Sequence, residues 1–158
     1  MTSRVNSAKV MRLSGFTLVE LMLSITIVAV LTSITLPAYQ GQVRKSQRSI
    51  GRAVLLEVLA RQEQFFIFNK HYADKLMLLG YATDPVTIGS DGQEVTTSSA
   101  RKIYVISLRN ILPAALPQRY VLAATPLLGQ AKDLLCGTLI ISSKGVKSAS
   151  AGAASSCW

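Results

Sequence analysis

From Phe16 to Leu36 the chain runs 21 residues with a single charged group, Glu20. At about 1.5 Å per residue such a run reaches roughly 32 Å as a helix, the thickness of a bilayer's hydrocarbon core. An ionisable side chain inside a span is disfavoured by roughly 2.5–3.5 kcal/mol even on lenient insertion scales. Glu20 therefore needs something to offset it. An ordinary secretory signal has a shorter apolar core and a small-residue cut after that core. Here Arg4, Lys9 and Arg12 supply the basic entry, but the run is too long and contains the glutamate. A plain single-span anchor accounts for the length and leaves both the Gly15-Phe16 junction and Glu20 unexplained.

The residues Gly15-Phe16-Thr17-Leu18-Val19-Glu20 resemble the prepilin processing site of the type IV pilin superfamily. The resemblance implies cleavage after Gly15 by a prepilin peptidase, N-methylation of the new terminal Phe16, and pairing of Glu20 with the free amine of a neighbouring subunit in a filament. It also implies the type IV pilin fold, an α+β fold in which a long N-terminal helix packs on a small antiparallel sheet. Met11 offers a second start that gives a five-residue leader still carrying Arg12.

Residues 1–15 are then the leader, 16–36 the transmembrane and filament-core half of the helix, and 37–69 its amphipathic half. Residues 70–100 form an αβ-loop, and 101–158 hold the sheet and a C-terminal loop bounded by cysteines. Past the apolar run, Ile50, Val54, Val58, Arg61 and Phe65 recur at helical spacing, with Leu55, Leu59, Gln62 and Phe66 beside them. Pro37 removes an amide donor and crowds the Ser33 carbonyl, while Gly41 and Gly51 are loose points. With no turn cluster between the halves, a kinked but continuous helix of about 80 Å is expected.

Turn residues gather after Asn69. Thr83-Asp84-Pro85 reads as a turn, and Ser90-Asp91-Gly92 as the closure of a small hairpin between Val86-Thr87-Ile88 and Glu94-Val95-Thr96. His71, the single histidine, has no companions suggesting a ligand set, and neither a metal site nor a cofactor is expected. The segments Lys102–Leu108, Arg119–Thr125 and Thr138–Ser142 read as strands bounded by Pro113, Pro117, Pro126 and Gly129, giving an antiparallel sheet of three or four strands. Ser148 to Ser156 lacks a core-forming pattern, and the Trp158 indole is placed to cover the sheet.

Cys136 and Cys157 are the only two cysteines. Their spacing fits no common zinc or redox motif, so a disulfide outside the cytoplasm is the simpler reading, with two unpaired buried thiols as the alternative. Charge counting leaves the topology open, because Arg44, Lys45, Arg48 and Arg52 after the run balance the three cations before it. The cysteines favour a C-terminal domain on the periplasmic side. The net charge of +9 falls to +6 without the leader's three cations, which suits polyanions or anionic lipid. The stripe Arg44, Lys45, Arg48 and Arg52 is a candidate site for an anionic partner, lipid headgroups or neighbouring subunits ahead of DNA.

The segments Tyr120–Pro126, Gly129-Gln130-Ala131, Cys136-Gly137-Thr138-Leu139 and Cys157-Trp158 resemble the C-terminal half of PilE-type minor pilins. That resemblance implies a low-abundance pilus subunit that helps start or cap filaments used for twitching motility, adhesion and DNA uptake. Its partners are other pilins, the inner-membrane assembly platform, and inner-membrane lipid before assembly. A major pilin, a type II secretion pseudopilin and a DNA-receptor pilin are the alternatives. No nucleophile pattern or phosphate loop suggests an enzyme.

Overall fold

The computed structural model describes residues 15–110 and 120–158. Residues 1–14, with Arg4, Lys9, Met11 and Arg12, and residues 111–119, with Pro113, Pro117 and Arg119, lie outside the described residues. Helix α1 spans Leu18–Asn69 and continues through Pro37. The chain divides into two compact units, Met1–Tyr39 and Gln40–Trp158.

Within the first unit every described side chain is exposed. The hydroxyls of its apolar run are nonetheless satisfied inside the helix: Ser24 and Thr26 donate to the carbonyls of Glu20 and Met22 at 2.8 and 2.7 Å. Thr32, Ser33 and Thr35 do the same to Val28, Val30 and Leu31 at 2.9, 2.7 and 3.1 Å. Such back-bonding removes the need for water and lets hydroxyls sit in an apolar medium.

The second unit is built on five antiparallel strands in sequential order: β1 (Val86–Gly89), β2 (Lys102–Asn110), β3 (Tyr120–Pro126), β4 (Leu139–Ser142) and β5 (Lys147–Ala149). Tyr120, Leu122 and Ala124 alternate with less buried neighbours along β3, and Leu139 and Ile141 do so along β4. One face is thereby apolar. It forms a single core with Val54, Leu55 and Val58 of α1 and with Tyr104 and Ile106 of β2. Each such side chain contributes roughly 1.5–3 kcal/mol on burial.

The sheet has two more elements at its edges than the clearest strand patterns give. Val86–Gly89 pairs along β2, and its expected hairpin partner is reduced to a bridge between Ile88 and Glu94. The segment after Ser143 is ordered as well: Lys147–Ala149 pairs with β4, and the short helix α2 (Ala154–Cys157) follows. Trp158 packs against the core and its indole N–H donates to the Ser148 carbonyl at 2.8 Å. At the other end, α1 stops at Asn69 because Lys70 turns left-handed at φ 60°.

Gly51 is a packing contact rather than a loose point. A Cβ there would stand 2.8 Å from the Tyr104 ring, so only glycine lets the helix backbone reach that tyrosine.

Candidate functional site: the helix start and the α1–sheet clamp

The first turn of α1 is capped by Thr17. Its hydroxyl oxygen accepts from the Glu20 amide at 3.2 Å, while its carbonyl accepts from Leu21 at 3.1 Å. Thr17-x-x-Glu20 is the spacing of a capping box, a local signal that the apolar-run reading passes over. A carboxylate in the first turn is also favoured by the helix's unpaired N-terminal amides, by about 0.3–1 kcal/mol at exposed sites. That is smaller than the burial penalty it faces in lipid. Among the described residues the Glu20 carboxylate takes part in no hydrogen bond or ion pair. Gly15 and Phe16 precede the helix in irregular backbone, Phe16 is 76% exposed, and among the described residues a Cβ on Gly15 would meet nothing within 4 Å.

In the second unit the basic stripe divides. Arg48 places Nε 2.9 Å from Asp133 Oδ2 and Nη2 2.7 Å from Oδ1, a bidentate pair with both side chains largely buried. Its charge is therefore spent inside the chain, which removes it from a stripe offered to an outside anion. Arg44 and Arg52 are half-buried and Lys45 is exposed. Gln130, itself buried, extends the clamp: the two hydrogens of its Nε2 are shared among the Tyr104 hydroxyl at 2.9 Å, Asp133 Oδ2 at 3.2 Å and the Arg44 carbonyl at 3.3 Å. Burial pushes the Tyr104 phenol up, and the donation from Gln130 partly offsets it. This clamp fixes the register of α1 on the sheet through residues 85 positions apart.

Two further ties hold the helix. Gln62, fully buried, donates to the Ala73 carbonyl at 3.0 Å and accepts from the Ala73 amide at 2.9 Å. Arg61 donates to the Leu79 carbonyl at 2.8 Å and lies 4.6 Å over the Tyr81 ring, whose phenol is pushed up to about 12, chiefly by burial. Cys136 and Cys157 are joined in a disulfide, closing the C-terminal segment onto the turn after Asp133. His71 is exposed and its Nδ1 lies 2.8 Å from the Asn69 carbonyl.

A helix long and apolar enough to cross a membrane, preceded by a glycine–phenylalanine junction and joined to a small disulfide-closed antiparallel unit, defines a type IV pilin. Residues 11–36 match the prokaryotic N-terminal methylation motif. Residues 37–140 match the family described as type IV minor pilin ComP, DNA uptake sequence receptor, and the chain belongs to that family of type IV minor pilins. Among solved structures, a type IV pilin from Shewanella oneidensis is similar at 21% identity and a TM-score of 0.46, covering 73% of this chain and 97% of that one. No curated protein matches the chain.

Proposed function

We propose that this chain is a pilus subunit cut between Gly15 and Phe16 by the prepilin peptidase and methylated at the Phe16 amine. Residues 16–36 hold it in the inner membrane with the second unit on the periplasmic side. The assembly platform then moves it into an extracellular filament used in twitching motility, adhesion and DNA uptake. Its role is structural.

The observation that supports this reading is the contrast inside the apolar run, where the hydroxyls are satisfied within the helix and the Glu20 carboxylate, among the described residues, is not. A positive group from a second chain meets that need, and the terminal amine of a processed neighbour is such a group. Mass spectrometry of sheared filaments tests it. The expected species starts at a methylated Phe16, and a chain recovered only as uncut membrane protein would contradict it.

A second reading, a DNA receptor, is supported by the description of the family that residues 37–140 match. The strand register also gathers cations at one end of the sheet. Arg109 lies opposite Val121, which pairs with Ser142 next to the Lys144 turn, and Lys147 pairs with neighbouring Ile141. Gel shifts with duplex DNA and the detergent-solubilised full chain test it. The Arg109→Glu, Lys144→Glu, Lys147→Glu triple variant should weaken binding and flatten the salt dependence, by a slope of about 0.9 per lost phosphate contact. Unchanged affinity and slope would rule these cations out.

A further inference from the structure

Among the described residues of the sheet half of the second unit, the two most exposed large apolar side chains, Leu134 at 84% and Leu135 at 75%, are adjacent. They sit between two anchors. Asp133 on one side is held by Arg48, and Cys136 on the other by the disulfide. The turn is closed by the Gly137 amide donating to the Asp133 carbonyl at 2.9 Å. Gly152, at φ 69°, approaches the Leu135 carbonyl so closely that no side chain fits between them. These ties hold the two leucines outward instead of leaving them to fold in.

Leu128 repeats the pattern. It is 53% exposed and adopts φ 48°, a left-handed conformation uncommon for a bulky residue. Backbone strain of this kind, where the surroundings impose it, points to use.

The position of these leucines narrows the occupant. Gln130 bonds the Arg44 carbonyl and Asp133 binds Arg48, so the segment 128–135 lies against the first turns of α1 within the second unit. That is the end at which the chain enters from the apolar run, with Arg44 only eight positions after Leu36. Arg44, Lys45 and Lys132 belong to this end, Arg101 and Lys102 line the groove beside Leu128, and the carboxylates Asp133 and Asp91 are paired with Arg48 and Arg101. Apolar side chains flanked by free cations are the pattern of a surface that rests in the headgroup layer of an anionic bilayer.

We infer that this end of the second unit docks on anionic lipid before assembly, with Leu128, Leu134 and Leu135 entering the interface and Arg44, Lys45 and Lys132 meeting phosphate. The inference rests on the membrane-anchored reading above. DNA also attracts cations, but it offers no apolar layer for three held-out leucines.

The test is hydrogen exchange on the full chain in lipid nanodiscs, one copy per disc, with neutral phosphatidylcholine or with added phosphatidylglycerol. Amides of residues 128–135 should exchange about fivefold more slowly in the anionic discs, as expected when a few basic side chains each gain from a charged surface. The difference should vanish in a Leu134→Asp, Leu135→Asp variant that keeps the wild-type melting temperature. Equal exchange in both discs would overturn the inference while leaving the anchor reading intact. Protection that requires two copies per disc assigns the surface to a neighbouring subunit and overturns it, as does protection that appears only on adding duplex DNA. A chain that does not enter discs at all overturns both the inference and the anchor.

Discussion

The two halves of α1 belong to one continuous helix and solve opposite problems. Beyond Gln40 its apolar side chains Val54, Leu55 and Val58 are buried, and its polar ones have partners in the same unit: Arg48 with Asp133, Gln62 with Ala73, Arg61 with Leu79. Before Tyr39 its apolar residues stand exposed, and its hydroxyls turn back onto the helix. The first half thus leaves its apolar surface to surroundings from outside, lipid or other helices in the proposed function, while the second is completed by its own chain. Glu20 is where this division is sharpest, a charge placed in the half that offers it nothing but the helix's own first turn.

The largest expected effect separates processing from folding. Replacing Gly15 by Trp should leave only full-length precursor in the membrane, since among the described residues a Cβ there meets nothing within 4 Å, and the substitution bears on the proposed peptidase cut rather than on packing. Electrophoretic mass and the melting temperature check this together. A mature-length product from the variant would break the reading.

The clamp comes next. Asp133→Ala should destabilise the second unit by about 3–5 kcal/mol, because it leaves the largely buried Arg48 without its carboxylate. Denaturant unfolding measures it, and a loss under 1 kcal/mol would mean that water reaches Arg48 freely. Insertion of the first half should be unaffected, which sharpens the contrast between the halves.

How much of this is legible in the sequence follows from range. The apolar run, the glycine–phenylalanine junction and the i, i+3, i+4 stripe are local patterns, and α1 appears where they place it. The middle strands alternate and are read directly. The edge strands are harder: Val86–Ile88 reads as a strand, but all four residues of β1 are buried, so its pairing with β2 in place of Glu94–Thr96 is not legible, and β5, three residues with no buried side chain, shows no period of two and is missed. The Arg48–Asp133 pair is invisible for a different reason. Eighty-five positions separate the two groups, and nothing local distinguishes Arg48 from Lys45, which stays exposed. Gly51 likewise reads as a weak helix residue until Tyr104 is seen against it. The general resemblance to minor pilins was legible at both ends of the chain, whereas the ComP family match covers 37–140, including the loop that carries no motif.

Smaller effects probe the closure of the second unit. Cys136→Ser with Cys157→Ser should lower its stability by about 3 kcal/mol, the chain-entropy value for a loop of this size. Proteolysis should then begin within residues 144–156. An unchanged melting temperature would assign the C-terminal order to Trp158 and β5 alone.

The smallest effect is alkaline. Tyr81, Tyr104 and Tyr120 all have phenols raised by burial above the ordinary value of 10.0, Tyr81 to about 12. The folded state holds their protons more tightly than the unfolded chain does. Stability should therefore be full below pH 10 and fall as pH rises towards 12 and beyond. Unfolding followed against pH checks the sign, and a flat profile between pH 10 and 12 would show these hydroxyls to be hydrated.

The central claim is that the first half of α1 finds its polar partner in another chain. Glu20→Ala tests it with little ambiguity, since Glu20 is exposed and, among the described residues, its carboxylate has no hydrogen bond or ion pair. Membrane insertion should be intact or improved, because a charge has left the span. The melting temperature of the second unit should be unchanged. At matched expression, the amount recovered in sheared filaments should fall about tenfold or more, as expected when a neighbour's amine is left unpaired in a low-dielectric core. Incorporation equal to wild type would contradict the account and leave a simple membrane-anchored domain.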